Sequence, residues 1–419
     1  MVTDSGTVDD DNLMVPERFT VGHPHLEWKK LRDTAPIYYC RPKGYRPYWA
    51  VTKYKDIVEI EKRSDVFLNA PRFQILPTSF EDYLIEKFGS INGVFQHLGQ
   101  MDAPEHIRYR NILMPWFSPK SLSQREGEIR AVCERFFGDW ALKGECGETD
   151  LAQNLTYWFP LRVACALLGL PEEEDQIVLK LVRQVFSFEA PTSGTDERSG
   201  FELMADYFKS VAEDRRLNPK EDLSTYLVQA TLDGQPLQDR ELLGYFVAIA
   251  TAGHDTTSSA ISGGIKALIE HPDQLQMLRD DRSKVRGAVE EILRWVTPTI
   301  HFARTAARDY ELRGQVIRKD ETVVLYYSSA NRDEDVFAHP DKFDITRSPN
   351  PHLAFGSGPH ACVGMQLAKM EIRCFLNVFL ERVEHMEIIG PTPSIASNLV
   401  TRLAQLPVRY RLRTPAIQP

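Results

Sequence analysis

The residues with the most chemistry in them stand in one short run, Phe355-Gly356-Ser357-Gly358-Pro359-His360-Ala361-Cys362-Val363-Gly364. Glycines at 356, 358 and 364 let the backbone turn tightly and approach a flat partner closely. Past the cysteine, apolar residues recur at helical spacing (Val363, Leu367, Met370, Phe375), which predicts a helix beginning at Cys362. The dipole and free amides of a helix N-terminus stabilise a thiolate. A thiolate with one open side, shielded by Phe355, has the properties an axial ligand to iron needs. A cysteine taken alone is more often an ordinary buried thiol. Five fixed positions together (Phe355, Gly358, His360, Cys362, Gly364) overturn that reading.

Three further clusters could do chemistry. Glu291-Ile292-Leu293-Arg294 sets an acid and an arginine one turn apart on one helix face. Alone, such a pair reads as a solvated surface pair. Ala252-Gly253-His254-Asp255-Thr256-Thr257 lies inside an apolar-periodic stretch. Glycine costs about 1 kcal/mol relative to alanine in a helix interior, and poor helix formers there invite a local opening. A threonine hydroxyl beside an acid in such an opening can hold and relay protons. Asp102-Ala103-Pro104-Glu105-His106-Ile107-Arg108-Tyr109-Arg110 reads as a helix start, with Asp102 as cap and Glu105 completing a capping box. His106 and Arg110 then share a face, and an arginine fork matches a carboxylate; a solvated polar face is the equal alternative.

These side chains need a scaffold, and most of the chain reads as helix. Helical periodicity runs through Arg125–Leu142, Trp158–Leu168, Gln176–Phe188 and Phe201–Arg216. The clearest case is Asp239–Glu270, closed by His271-Pro272; Ser283–Val296 follows, closed by Pro298. Strand character is confined to Tyr48–Thr52, Tyr310–Tyr327 with turns at Gly314 and Asp320, and Val408–Leu412. Residues 71–100 show no clean period and read as a mobile loop with short helices. The expected class is mainly α with small β-sheets. The 419 residues would allow two or three domains, but no linker or repeat marks a boundary, so one domain over 1–419 is expected, with residues 1–15 a flexible tail.

Composition narrows the function. A net charge of −9 with no basic block argues against nucleic acid. The six cysteines (Cys40, Cys133, Cys146, Cys165, Cys362, Cys374) form no CxxC pair and no zinc-like spacing. The acidic start, with Asp9-Asp10-Asp11, is the opposite of a secretory signal. No run of about twenty apolar residues occurs. The expectation is a soluble, cytoplasmic protein that binds neither nucleic acid nor membrane.

The loop around Cys362 resembles that of the cytochrome P450 haem-thiolate monooxygenases, whose haem loop follows FxxGxHxCxG. The other motifs fall in that family's order, and the resemblance spans about Pro36 to Leu412. Tyr245–Ser259 and Ser329-Ala330-Asn331-Arg332-Asp333-Glu334 are similar to the bacterial branch that hydroxylates the monoterpenoid α-terpineol. The resemblance implies the cytochrome P450 fold, a long central helix over haem b, and C–H hydroxylation by dioxygen with two electrons. It implies Cys362 as the iron ligand and His106, Arg110, Arg304 and His360 as haem contacts. It makes Glu291, Arg294 and Arg347 (in Phe343-Asp344-Ile345-Thr346-Arg347) one buried ion network. It gives Thr256 the proton-delivery role, with Asp255 as the acid linked to solvent.

No flavin or nicotinamide motif is present, so electrons are expected from a ferredoxin and its NAD(P)H-dependent ferredoxin reductase. Arg108, Lys369 and Arg373 could form a local basic patch for it. Candidate substrate-lining residues are Phe73, Leu76, Phe95, Ala248, Ala252, Ile300 and Phe302, with His301 turned away by alternation. They suit a small, apolar ring substrate, a monoterpenoid or substituted aromatic; Arg72 is the one residue that could instead anchor a carboxylate. Two other classes compete: a haem-thiolate sensor without turnover, and a peroxygenase. Neither needs the Asp255-Thr256 pair.

Overall fold

The long helix forms with the expected bounds, Asp239–Glu270, in the computed structural model, which describes residues 8–92, 96–185 and 199–413. Its start is fixed at Gln238, whose N–H is accepted by the Glu241 carboxylate at 2.7 Å. Its end falls at His271, before Pro272. Around it pack the helices Trp158–Leu167, Gly200–Leu217, Val285–Val296 and Met365–Arg382. Together with Pro119–Ala141 they bury the main apolar core.

A five-stranded sheet stands to one side, in the order Ile37–Cys40, Tyr48–Val51, Thr322–Tyr326, His301–Ala306, Phe67–Leu68. Only the Tyr48–Val51 and Thr322–Tyr326 pair is parallel. A smaller sheet joins Val383–Ile388, Pro407–Leu412 and Cys146–Asp150. The turn expected at Gly314 closes the Tyr310–Leu312/Gln315–Ile317 hairpin, with positive φ at both Arg313 and Gly314 as a primed hairpin turn requires.

Two expectations fail here. Residues 8–15 are not a free tail: Leu13 and Met14 are fully buried beneath the sheet with Trp28, Val324 and Tyr326. Their carbonyls accept from Tyr326 Oη at 2.8 Å and Asn398 Nδ2 at 2.6 Å. Asp102 does not cap the Glu105–Leu113 helix. Its carboxylate instead accepts the amides of Asn69 at 2.7 Å and Ala70 at 3.1 Å, tying down the loop after Phe67–Leu68. Among the described residues, no helix is long and apolar enough to cross a membrane.

Candidate active site

The Cys362 loop is folded by its own glycines and by Glu61. Gly358 sits at φ +68°, and a Cβ there would lie 2.7 Å from the Glu61 carbonyl oxygen. The Glu61 carboxylate accepts both the amide and the hydroxyl of Ser357 at 2.7 Å. The Cys362 amide closes the loop onto the Phe355 carbonyl at 2.9 Å. The following helix starts at Met365, three residues later than the periodicity implies. Cys362 is thus presented ahead of the helix, with its thiol open to an interior cavity of about 420 Å³. Burial pushes this thiol's pKa up; the amides of Gly364 and Met365 and the Arg110 guanidinium pull it partly back. A bound metal cation removes such a proton outright. Among the described residues, Cys362 is the only cysteine lining the cavity.

Four nitrogen donors converge at one side of the cavity. His106 and Arg110 come from the Glu105–Leu113 helix, Arg304 from the sheet, His360 from the cysteine loop. The rings of His106 and His360 stack with centroids 3.7 Å apart. Burial, reinforced by the neighbouring positive charges, holds His106 down at about 4 and His360 at about 3, so both are neutral at neutral pH. Arg304 faces Glu61 at 3.4 Å, while Arg110 has no carboxylate partner among the described residues. Two guanidiniums and two imidazoles share one protein carboxylate that is already engaged by Ser357 and by Tyr327 Oη. This excess of donors fits the two propionates of haem b, beside a thiol able to bind its iron.

The opposite wall is the long helix, with Ala248, Ala252 and Thr256 on the cavity. The helix stays α-helical through 252–257, so the expected opening is not seen. Instead the Thr256 hydroxyl donates to the Ala252 carbonyl at 2.8 Å. Asp255 is mostly buried and reaches Arg402 at 3.5 Å. Arg402 in turn lies over the Tyr157 ring at 4.5 Å. His254 is fully buried, its Nε2 on the Tyr157 carbonyl at 3.0 Å.

Behind the cysteine loop, Glu291 and Arg294 pair through both carboxylate oxygens at 2.8 Å, each side chain 0% exposed. The Glu291 carboxylate also accepts from Arg347 Nε at 3.2 Å and from Asn350 Nδ2 at 3.0 Å. The remaining Arg294 donors hold the carbonyls of Asn331, Pro340 and Lys342.

The cavity is lined by Phe73, Leu76 and Phe302, as expected, but not by Ile300. Ile300 precedes the strand, and its amide bonds the Leu399 carbonyl at 2.8 Å. That turns its side chain into the core beneath the sheet, and Pro298 and Thr299 face the cavity instead. His301 points away, its Nδ1 on the Asn398 carbonyl at 2.9 Å. Phe95 lies outside the described residues. Arg72 reaches the cavity but is spent on Glu81, at 3.0 and 3.1 Å. The basic patch is not free either: Arg108 pairs with Asp233, Lys369 with Glu290, and Arg373 with Glu126. Sequence reasoning missed Glu61 and Arg402, whose partners are distant in the chain. It also missed Glu371, a buried carboxyl on the cavity with one oxygen unpartnered and a pKa pushed well up by burial.

The cytochrome P450 family model matches residues 196–412. Cytochrome P450-terp of a Pseudomonas species is 37% identical over 93% of this chain and 93% of its own length. A steroid C26-monooxygenase of Mycobacterium tuberculosis is 33% identical over 94% of this chain and 90% of its own length. The crystal structure of CYP108D1 from Novosphingobium aromaticivorans superposes with a TM-score of 0.88 at 33% identity, covering 96% of this chain and 98% of that one. Mycobacterium marinum cytochrome P450 CYP268A2, in complex with pseudoionone, does so with 0.84 at 29% identity, covering 97% and 100%. A thiol beside a cluster of N–H donors in one cavity and these whole-length likenesses agree: the chain belongs to the cytochrome P450 family of haem-containing monooxygenases.

Proposed function

We propose that the protein hydroxylates a small, neutral, largely apolar ring compound, a monoterpenoid or substituted aromatic, with electrons from a ferredoxin and its NAD(P)H-dependent reductase in the cytoplasm. The observation that carries the substrate class is the fate of Arg72. Among the described residues it is the one cation on the substrate side of the cavity, and it pairs with Glu81, a carboxylate it shares with Arg46. A fatty-acid carboxylate would have to take Arg72 from Glu81 or be buried unpaired, which costs several kcal/mol. The likeness to cytochrome P450-terp supports the same class. The steroid C26-monooxygenases stand at lower identity.

Haem, when bound, supplies an iron centre that activates dioxygen, so that one atom enters a C–H bond and the other leaves as water. Cys362 would hold the iron, and Arg110, Arg304, His106 and His360 the propionates. The Thr256 hydroxyl, positioned by the Ala252 carbonyl, holds a proton on the long-helix wall. Asp255, mostly buried beside Arg402, resupplies it. Phe73, Leu76 and Phe302 keep water out while the substrate is held.

Titration of the ferric holoenzyme with p-cymene, α-terpineol, a biphenyl and laurate tests the substrate class. The expected result is a low-spin to high-spin shift with the ring compounds and little with laurate. A full shift with laurate alone would overturn it and return Arg72 to the role of anchor. Turnover of a binding ring compound should need NADH, ferredoxin and reductase. Equal turnover with peroxide alone would favour a peroxygenase.

A further inference from the structure

His97 lies where the loop before the Glu105–Leu113 helix presses directly on the long helix. Gly244 makes that approach possible: a Cβ there would lie 2.0 Å from the Gln96 carbonyl oxygen. Two neighbours fix the imidazole. The Gly99 amide donates to its Nδ1 at 3.1 Å, and the Phe73 ring meets it edge-on with centroids 4.9 Å apart. Burial holds the ring at about 4, so it is neutral at neutral pH. A neutral imidazole whose Nδ1 accepts a hydrogen bond carries its proton on Nε2. The tautomer is therefore set by the backbone, and Nε2–H is a donor in a fixed place.

Among the described residues, nothing answers that donor: the Nδ1 contact is the side chain's one hydrogen bond. The ring lines the same cavity as Phe73, Phe302 and Ala248. The residue is half-buried and lines the cavity rather than the packed core, so its Nε2–H is free to meet an acceptor that a ligand brings. A second polar group stands on the same wall. Gln100, whose amide bonds the His97 carbonyl at 2.9 Å, lines the cavity with its side-chain Oε1 buried and unpartnered.

We propose that His97 is a specificity-determining residue whose Nε2–H donates to an oxygen carried by the otherwise apolar substrate, with Gln100 beside it to accept from that oxygen when it is a hydroxyl. This rests on the apolar-ring reading above and sharpens it: the preferred ligand is a mono-oxygenated ring compound rather than a hydrocarbon. The Arg72–Glu81 pair leaves a carboxylate no such welcome, so the oxygen is neutral.

The test compares p-menthane with menthol, which share a skeleton and differ by one hydroxyl. Affinity for the holoenzyme is measured by calorimetry and by spin shift, in wild type, His97→Phe and His97→Gln. Phenylalanine keeps the ring and its contact with Phe73 but has no donor; glutamine offers one at similar reach. Wild type should prefer menthol, and His97→Phe should lower the menthol-to-menthane affinity ratio about three- to tenfold. His97→Gln should retain part of that preference. Loosening of the loop through the lost Gly99 bond would weaken both ligands equally and leave the ratio unmoved. A ratio unmoved in His97→Phe, with both compounds still binding, overturns the assignment of His97 alone. Failure of both compounds to bind wild type overturns the ring-substrate reading and this one with it.

Discussion

Thr256→Ala is expected to bind haem and substrate almost as the wild type does, yet to lose most of its product per NADH consumed, with the missing electrons recovered as hydrogen peroxide. The hydroxyl makes a single bond, to the Ala252 carbonyl one turn back. The helix is continuous without it, so the cost to stability should be about 1 kcal/mol or less. The cost to the reaction is larger, because a positioned proton donor contributes on the order of a hundredfold or more. A fall in coupling of about tenfold or greater is the expected outcome, with Thr256→Ser close to wild type. Coupling unchanged in Thr256→Ala would leave the residue a helix element and remove the proton role from Asp255 as well.

Arg294→Ala is expected to yield little holoprotein. Arg294 and Glu291 are wholly buried and paired through both oxygens. Removing the guanidinium leaves the Glu291 carboxylate with Arg347, Asn350 and the Asp344 amide, strips the side-chain donor from the Asn331 carbonyl, and leaves the Pro340 and Lys342 carbonyls to Arg332 and Arg347. Breaking a buried pair in this way costs about 3–5 kcal/mol, a large share of the 5–15 kcal/mol that typically holds a domain folded. Arg294→Lys should not rescue it, since one ammonium cannot serve both the carboxylate fork and the carbonyls. Denaturant unfolding with haem content per chain decides the matter. A midpoint shift worth under about 1 kcal/mol in Arg294→Ala would contradict this account of the network.

What could be read from the sequence was what is local. The long helix carries its own cap and stop, and the Cys362 loop its own glycines and spacing, so both were legible. Glu61 was not, because Ser357, Tyr327 and Arg304 meet it only when three distant segments pack. Ile300 shows how a local rule fails: alternation was projected back across residues that precede the strand, where a bond to Leu399 turns the side chain over. Asp102 had the right spacing for a cap, but the amides of Asn69 and Ala70 compete for the same carboxylate. The N-terminal stretch looked like a tail because its acids dominate, while Leu13 and Met14 were the apolar pair that anchors it. From the sequence, Arg72, Arg108, Lys369 and Arg373 read as free charges. Each has an acidic partner far enough along the chain that spacing gave no sign of it.

The central claim is that Cys362 holds the haem iron as a thiolate, and the reduced carbon-monoxide spectrum of the holoenzyme tests it most directly. Cys362 opens onto the same cavity as Thr256, whereas Cys374 is buried in the main core within the Met365–Arg382 helix. Wild type and Cys374→Ser should both give the band characteristic of thiolate ligation, and Cys362→Ser should lose it. Retention of that band in Cys362→Ser would contradict the account.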